Sequence, residues 1–359
     1  MNTKIYPIQL HLVIHAHFQT NKMNSMQIIQ KWVIIALLMA SITSCTKELI
    51  TTNATDSPIM VFNQASDFIK THSAFLGIKN LNWDSIHIIY SNKVFEGMTD
   101  DSLYNVINSM LLELQDGHAL LYYENKAVTV WDYTAGYPIN FDKQLLDSYY
   151  LQESQKIGPF TVAIIDEIGY VYYPSFAENI AESDMDDLID FIADAKGLII
   201  DIRSNGGGDG TNSNTILSRF TDREVYLGKQ LVKSGPDEDD YIESKYTLEP
   251  AESQKKYLNE QIVILTNRGD ASTSAFFTGF AKVLPNITSV GDKTGGAGGV
   301  GTSMQLGNGW QIVVSSTIGI DANNNVIENG IDPDIKVDQS VADSINHIDS
   351  IIETALLQF

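Results

Sequence analysis

Residues 197–208 have the sequence Gly-Leu-Ile-Ile-Asp-Ile-Arg-Ser-Asn-Gly-Gly-Gly. The apolar run 198–200 predicts a buried strand, and the glycines after it predict a tight turn. Upstream, the pattern indicates a strand over 169–173 and an amphipathic helix over 185–192. Strand, helix and strand together form a β-α-β unit, which predicts a parallel pair of strands.

A second unit of the same kind follows along the chain. Residues 261–266 predict a buried strand, 274–284 a helix and 287–290 the next short strand. A further strand over 310–316 and a final helix near 340–357 complete the pattern. Repeated alternation of this kind predicts an α/β core with a largely parallel sheet.

A small, mainly helical amino-terminal domain is expected before this core. Apolar residues recur at helical spacing over 103–114, with Thr99 available as a cap and Gly117 as a stop. We therefore divide the folded part into a helical domain at 59–125 and an α/β core at 126–359.

Composition excludes several classes of function. The chain has 359 residues, 43% of them hydrophobic, a formal charge of −22 and one cysteine. A single cysteine excludes an internal disulfide framework and any Cys-rich zinc or iron–sulfur site. The acid excess would repel a phosphate backbone, so no nucleic-acid partner is expected. We also expect no metal and no organic cofactor.

The first 44 residues predict a secretory signal peptide. Lys31 precedes a short apolar run over 32–40, and small residues follow. The run Ile42-Thr43-Ser44-Cys45 resembles a bacterial lipobox, in which the cysteine receives diacylglycerol. We expect translation to start at Met23 or Met26, and 45–58 to form a lipidated tether that holds the protein at a membrane of the cell envelope. A simple signal peptide and a signal anchor are the alternatives.

The glycines at 206–208 follow a buried strand, where free amides suit an anion or an oxyanion. A nucleotide-phosphate site fits poorly, because the segment has neither Gly-x-Gly-x-x-Gly nor Gly-Lys-Ser/Thr. A plain tight turn is the simplest alternative.

The segment 266–275 joins a predicted strand to a predicted helix. Ser272 is expected to cap that helix, although a serine at such a junction can also act as a nucleophile. A serine hydroxyl needs a base. His118 is the best candidate, because it lies in a loop just after a helix stop, and Glu328 lies in a polar turn from which a carboxylate could orient a histidine.

Five motifs in order resemble the tail-specific, or C-terminal-processing, serine peptidases. They begin with Asp-Gly-His at 116–118 and Asp-x-Arg-x-Asn-Gly-Gly-Gly at 201–208. A serine-containing turn at 271–274, Gly-Asp-x-Thr-Gly-Gly at 291–296 and Glu-x-Gly-Ile-x-Pro-Asp at 328–334 follow. The resemblance spans about 95–340 and implies a crotonase-like or ClpP-like α/β core.

The resemblance also implies the catalytic residues. It makes Ser274 the nucleophile, and it places Ala297 where one branch has a catalytic lysine, with Lys293 four residues too early to replace it. The chain is therefore more similar to the tricorn-core branch, in which His118 and Glu328 match the histidine and the glutamate. An auxiliary serine of that branch is Gly117 here.

The oxyanion-hole amides implied by the family are those of Ala275 and of the glycine loop, with Gly207 preferred and Gly206 as the second choice. The expected function is a membrane-anchored serine endopeptidase that acts on peptides or proteins. About 50 residues separate His118 from the strand at 168, which is too few for an inserted PDZ module. A catalytically inactive lipoprotein that binds peptides or an apolar ligand is the alternative.

Overall fold

The computed structural model describes residues 56–123, 126–128, 132–237 and 239–359. The predicted signal peptide, Cys45 and the lipidated tether up to residue 55 lie outside these described residues. The described residues belong to one compact unit. Within them, no helix has both the length and the apolar character needed to cross a membrane.

The helices are α1 Pro58–His72, α2 Phe75–Ile78, α3 Trp83–Ser91, α4 Asp100–Leu112, α5 Lys143–Leu145, α6 Glu182–Phe191, α7 Gly210–Leu217, α8 Thr273–Ala281, α9 Val341–Ile345 and α10 Ser350–Leu356. The strands are β1 Leu120–Tyr123, β2 Lys126–Val128, β3 Gln155–Ile157, β4 Phe160–Ile165, β5 Ile168–Tyr172, β6 Gly197–Asp201, β7 Val225–Lys233, β8 Tyr241–Leu248, β9 Gln261–Thr266, β10 Ile287–Gly291, β11 Gly301–Gln305, β12 Gln311–Ser315, β13 Thr317–Asp321 and β14 Ile335–Lys336.

A seven-stranded sheet forms the core, in the order β14-β10-β9-β6-β5-β4-β3. Within this sheet, neighbouring strands pair in parallel among β14, β10, β9, β6 and β5. Strands β4 and β3 are added antiparallel at the β5 edge. The predicted α/β class and the largely parallel sheet are confirmed. In the pairing of β6 with β9, Asp201 lies opposite Leu265. Because parallel strands end at the same edge, the glycine loop after β6 lies beside the turn after β9.

The amino-terminal helices pack on a second sheet, of order β11-β12-β1-β2. Their core combines Phe62, Trp83 and Met110 from the helices with Trp310 and Ile312 from the carboxy-terminal half. The helical region is present, as predicted, but residues 59–125 do not close a core alone. A third sheet, of order β13-β7-β8, completes the fold.

Helix caps explain where two predicted helices begin and end. Thr99 caps α4, because its side chain accepts a hydrogen bond from the amide of Ser102. The single final helix predicted near 340–357 is instead two helices, α9 and α10. The chain between them has His347 at φ 61°, outside the helical region, and Asp349 caps α10.

A buried ionic cluster fixes the end of β6. Arg203 bonds Asp201 at 2.6 Å and Asp349 at 2.8 Å, and all three side chains are almost fully buried. The hydroxyl of Tyr170 also donates to Asp201. Helix α10 is thereby tied to the strand that carries the glycine loop.

Candidate active site

A cavity of about 540 Å³ lies at the carboxyl ends of β6 and β9. Ser272 and Thr273 line it from the turn after β9, and Gly208 lines it from the glycine loop. His118 and the segment 299–301 form another part of its wall. Residues more than 150 positions apart thus face one space.

Ser272 has a backbone conformation that a non-glycine residue rarely adopts. Its φ is 55° and its ψ is −123°, and it immediately precedes α8. Its side chain makes no capping hydrogen bond, so the expectation that Ser272 is an ordinary helix cap is wrong. A strained residue between a strand and a helix, with its side chain at a cavity, has the geometry of a nucleophile elbow.

Ser274 lies in a different environment. Its side chain is completely buried in the first turn of α8, and its hydroxyl donates to the main-chain oxygen of Asn205 at 2.6 Å. Ser274 is not among the residues that line the cavity. The structure therefore contradicts the expected role of Ser274 as the nucleophile, because a substrate cannot reach this hydroxyl.

The loop that carries His118 is anchored by Asp116. The Asp116 carboxylate accepts from the His118 amide at 2.9 Å and from the amide and hydroxyl of Ser315, both at 2.8 Å. Burial lowers the pKa of His118, and the Asp116 carboxylate opposes that shift. The imidazole is therefore neutral at neutral pH, as a general base must be.

Among the described residues, no hydrogen bond joins Glu328 to His118. Its Oε1 accepts from Lys79 Nζ at 2.7 Å, and its Oε2 accepts from the Gly298 amide at 2.9 Å. Burial raises the pKa of Glu328 to about 7, against the effect of the Lys79 ammonium, and the Asp116 carboxylate adds to the rise. The Nδ1 atom of His118 has no hydrogen-bond partner in the part of the chain that the structure describes. The expected orientation of His118 by Glu328 is thus not seen.

Glu328 instead lines a second cavity, of about 470 Å³. Gly117 and Ala297, the two positions at which the sequence departs from the motifs it resembles, line it as well. Lys293 lies 3.4 Å from Asp332, so its charge is directed to a surface carboxylate.

Gly207 approaches Ser272 closely. A Cβ added at Gly207, whose φ is 96°, would lie 2.7 Å from the Ala271 oxygen and 2.8 Å from Ser272 Cβ. Its amide already donates to Asn205 Oδ1 at 2.9 Å, which leaves it poorly suited to the expected oxyanion role.

The other two expected oxyanion donors differ in position. Gly206 is exposed, and no atom lies within 4 Å of a Cβ built on it. Ala275 is completely buried within α8 and is not part of the cavity wall. Thr273 follows Ser272 and does line the cavity, with its hydroxyl donating to the Gly208 oxygen at 2.6 Å.

Asn205 organises the site, and the sequence reasoning assigned it no role. Its Oδ1 accepts from the amides of Phe176 and Gly207, and its Nδ2 donates to the Tyr173 oxygen. Its main-chain oxygen accepts from Ser274. Its position immediately before the glycines could have indicated this role, because asparagine side chains at turns form hydrogen bonds with nearby main-chain groups.

The described residues contain no group of three or more His, Cys, Asp or Glu side chains placed to hold a metal ion.

A sequence profile, described as peptidase family S41, matches residues 167–337. A crystal structure of a candidate peptidase from Parabacteroides merdae ATCC 43184 is 32% identical, with a TM-score of 0.80. The alignment covers 84% of this chain and 96% of that one. The chain belongs to peptidase family S41. The predicted resemblance to the tail-specific peptidases is therefore confirmed.

Two proteins of Bacillus subtilis (strain 168) are also similar. The carboxy-terminal processing protease CtpB is 28% identical over 175 residues, and CtpA is 27% identical over 176 residues. Each alignment covers 48% of this S41 chain, and the chain spans only about a third of either relative, 34% and 35%.

Two solved structures share the fold at lower identity. The photosystem II D1 C-terminal processing protease has a TM-score of 0.54 at 17% identity, covering 79% of this chain and 94% of that one. Mature CPAF in complex with lactacystin has a TM-score of 0.62 at 13% identity, covering 83% and 97%.

Proposed function

We propose that this S41 chain is a serine peptidase whose nucleophile is Ser272 and whose general base is His118. The observation that carries the proposal is the strained Ser272, which faces the same cavity as the neutral imidazole of His118. The names of the Bacillus relatives support peptides or proteins as substrates, cleaved near a carboxyl terminus.

In the first half of the reaction, Ser272 Oγ attacks a peptide carbonyl while the His118 imidazole accepts the hydroxyl proton. The Thr273 amide, at the N-terminus of α8, stabilises the negative oxygen that forms. The glycine loop beside Ser272 supplies the second donor, with Gly208 best placed because it lines the cavity.

In the second half, the protonated imidazole gives its proton to the leaving amine as the carbon–nitrogen bond breaks. An acyl-enzyme remains on Ser272. Water then attacks this ester while His118 accepts the water proton. The imidazolium returns that proton to Ser272 Oγ as the ester carbon–oxygen bond breaks, which releases the carboxylic acid and the free serine. No step requires a metal.

The apolar part of the cavity supports a hydrophobic substrate residue. Tyr246 from β8 and Phe276 and Phe280 from α8 line it, and their ring centroids lie 5.1–5.8 Å apart. Phe276 follows Ser272 by one helical turn, so this aromatic wall begins next to the nucleophile.

The test compares two serines two positions apart. We expect Ser272→Ala to lower kcat by roughly a thousandfold or more and to abolish labelling by a fluorophosphonate. Ser274→Ala, the matched control, should be labelled normally. Labelling that survives in Ser272→Ala but not in Ser274→Ala would overturn the assignment. A folded wild type that neither cleaves peptides nor reacts would favour a binding protein without catalysis.

We also propose a lipid anchor at Cys45, supported by the apolar run and lipobox-like residues at 31–45. The peptidase would then act on the periplasmic or cell-surface side of a membrane. Cys45→Ser is expected to remove the acyl groups from the mature protein and to release the protein from the membrane fraction. Mass spectrometry measures the first effect and membrane fractionation the second. Retention of both would contradict the anchor.

A further inference from the structure

Lys79 joins three segments that are distant in sequence. It follows α2, and its ammonium donates to the main-chain oxygens of Leu114 at 3.1 Å and Gln115 at 2.6 Å. A third bond runs to Glu328 Oε1 at 2.7 Å. The Lys79 side chain is 16% exposed and that of Glu328 is 3% exposed, so water screens this ion pair little.

Both ends of this connection lead to the proposed active site. Leu114 and Gln115 directly precede the anchored loop that ends in His118. On the other side, Glu328 holds the Gly298 amide, and the next residue, Gly299, lines the cavity that contains Ser272. One ammonium and one carboxylate therefore span the gap between the histidine loop and the segment opposite it.

We propose that Lys79 is a positioning residue of the active site, which acts with Glu328 to hold the His118 loop and the 297–299 segment at a fixed separation. Lys79 lies outside the wall of the cavity that contains Ser272 and His118, and it lines the second cavity with Glu328. The inference rests on the proposed peptidase function, because a fixed position of the base matters only if His118 is the base. Glu328 was expected to orient the His118 imidazole directly. In this proposal it instead holds the loops on either side of the cavity in position.

The connection depends on the charge of Glu328. A protonated carboxyl group has one oxygen that donates, whereas both Glu328 oxygens now face donors, Lys79 and the Gly298 amide. Three further charged groups among the described residues lie near Glu328: Asp116, which favours its protonation, and Asp132 and Arg268, which line the same 470 Å³ cavity. With a pKa of about 7, Glu328 is increasingly protonated below neutral pH, and the connection weakens.

The pH dependence of the rate separates positioning from simple stabilisation. The wild type should lose activity as pH falls through about 7, where Glu328 becomes protonated. In Lys79→Met, the group that lowers the pKa of Glu328 is gone, so this acid limb should move to higher pH, by about one unit. In Glu328→Gln, the acid limb should move the opposite way, toward the pKa of His118, which burial lowers.

The experiment measures peptide cleavage and the rate of fluorophosphonate labelling from pH 5 to 9. We expect Lys79→Met to lower kcat about tenfold to a hundredfold with little change in KM, because the base is misplaced. Lys79→Arg should recover most of the activity. Lys282→Met is the matched control: Lys282 pairs with Asp334, its side chain is 18% exposed, and it lies outside both cavities, so the profile should not change.

Two results would overturn the inference. One is a Lys79→Met protein with wild-type kcat and an unmoved limb. The other is a Glu328→Gln protein whose activity falls at the same acidic pH as that of the wild type. This second result decides the matter if Lys79→Met does not fold. Failure of the proposed function appears differently, as unchanged labelling and cleavage in Ser272→Ala.

Discussion

Gly117 and Ala297 lie directly against each other: a Cβ built on Gly117 would be 2.6 Å from the Cβ of Ala297. At these two positions the chain lacks the auxiliary serine and the lysine that its resemblance to serine peptidases implies. The two departures therefore meet in one contact. A side chain at 117 and a methyl group at 297 cannot both fit without movement of the main chain that leads to His118.

This contact predicts strong coupling between the two positions. Gly117→Ala alone should displace the His118 loop and lower kcat/KM about tenfold to a hundredfold. Ala297→Gly in the same chain should restore most of that loss, and alone it should leave activity near wild type, because Ala297 has φ 55° and glycine adopts that conformation easily. A double-mutant cycle measures the coupling. Additive effects of the two substitutions would contradict the contact.

The glycine loop should tolerate a methyl group at one position and not at another. Gly207→Ala would place a Cβ 2.7 Å from the Ala271 oxygen and 2.9 Å from the Thr273 amide, so the turn at Ser272 must shift. We expect peptide cleavage to fall by about a hundredfold or more. Gly206→Ala is the control, since a Cβ there meets no atom within 4 Å and Gly206 is exposed outside the cavity wall. Equal activities of the two variants would show that Gly207 does not constrain Ser272.

The buried ionic cluster predicts a large loss of stability. Arg203→Met would leave Asp201 and Asp349 buried without their cation, which should lower the free energy of unfolding by about 3–5 kcal/mol. The exposed pair of Lys196 with Glu167 offers the comparison, and Lys196→Met should cost no more than about 1 kcal/mol. Urea denaturation followed by circular dichroism measures both. A small effect of Arg203→Met would mean that the cluster is not a determinant of stability.

The aromatic wall predicts substrate preference. Peptides with a large apolar residue bound next to Ser272 should be cleaved faster than otherwise identical peptides with alanine. Phe276→Ala should reduce that ratio of kcat/KM values by about tenfold, because the partly buried ring no longer covers the substrate side chain. Phe95→Ala, at an exposed ring outside the cavity, is the control. An unchanged ratio in Phe276→Ala would place the specificity elsewhere.

The sequence pattern predicted the main strands and helices well, because each of these elements depends on residues that are close together in the chain. The apolar runs at 197–201 and 261–266 and the capped helix after Thr99 all appear where periodicity placed them. The nucleophile could not be found this way. Ser272 and Ser274 lie two positions apart in a polar segment, and what separates them is a main-chain conformation and a bond to Asn205.

Contacts between segments that are distant in sequence could not be predicted from the local pattern either. Lys79 and Glu328 are 249 positions apart, and no composition or spacing connects them. The break between α9 and α10 had a similar cause. Asp349 must leave the helical path to cap α10 and to bind Arg203, so tertiary contacts override the apolar periodicity around it.

The backbone of Ser272 has a cost for the whole molecule. A non-glycine residue at φ 55° and ψ −123° is disfavoured by about 1–3 kcal/mol, so Ser272→Gly should make the protein more resistant to urea while removing its nucleophile. Stability and activity are thus in direct opposition at a single residue. A search that selects only for thermal robustness would be expected to replace the serine at this turn, and its persistence would require selection for catalysis.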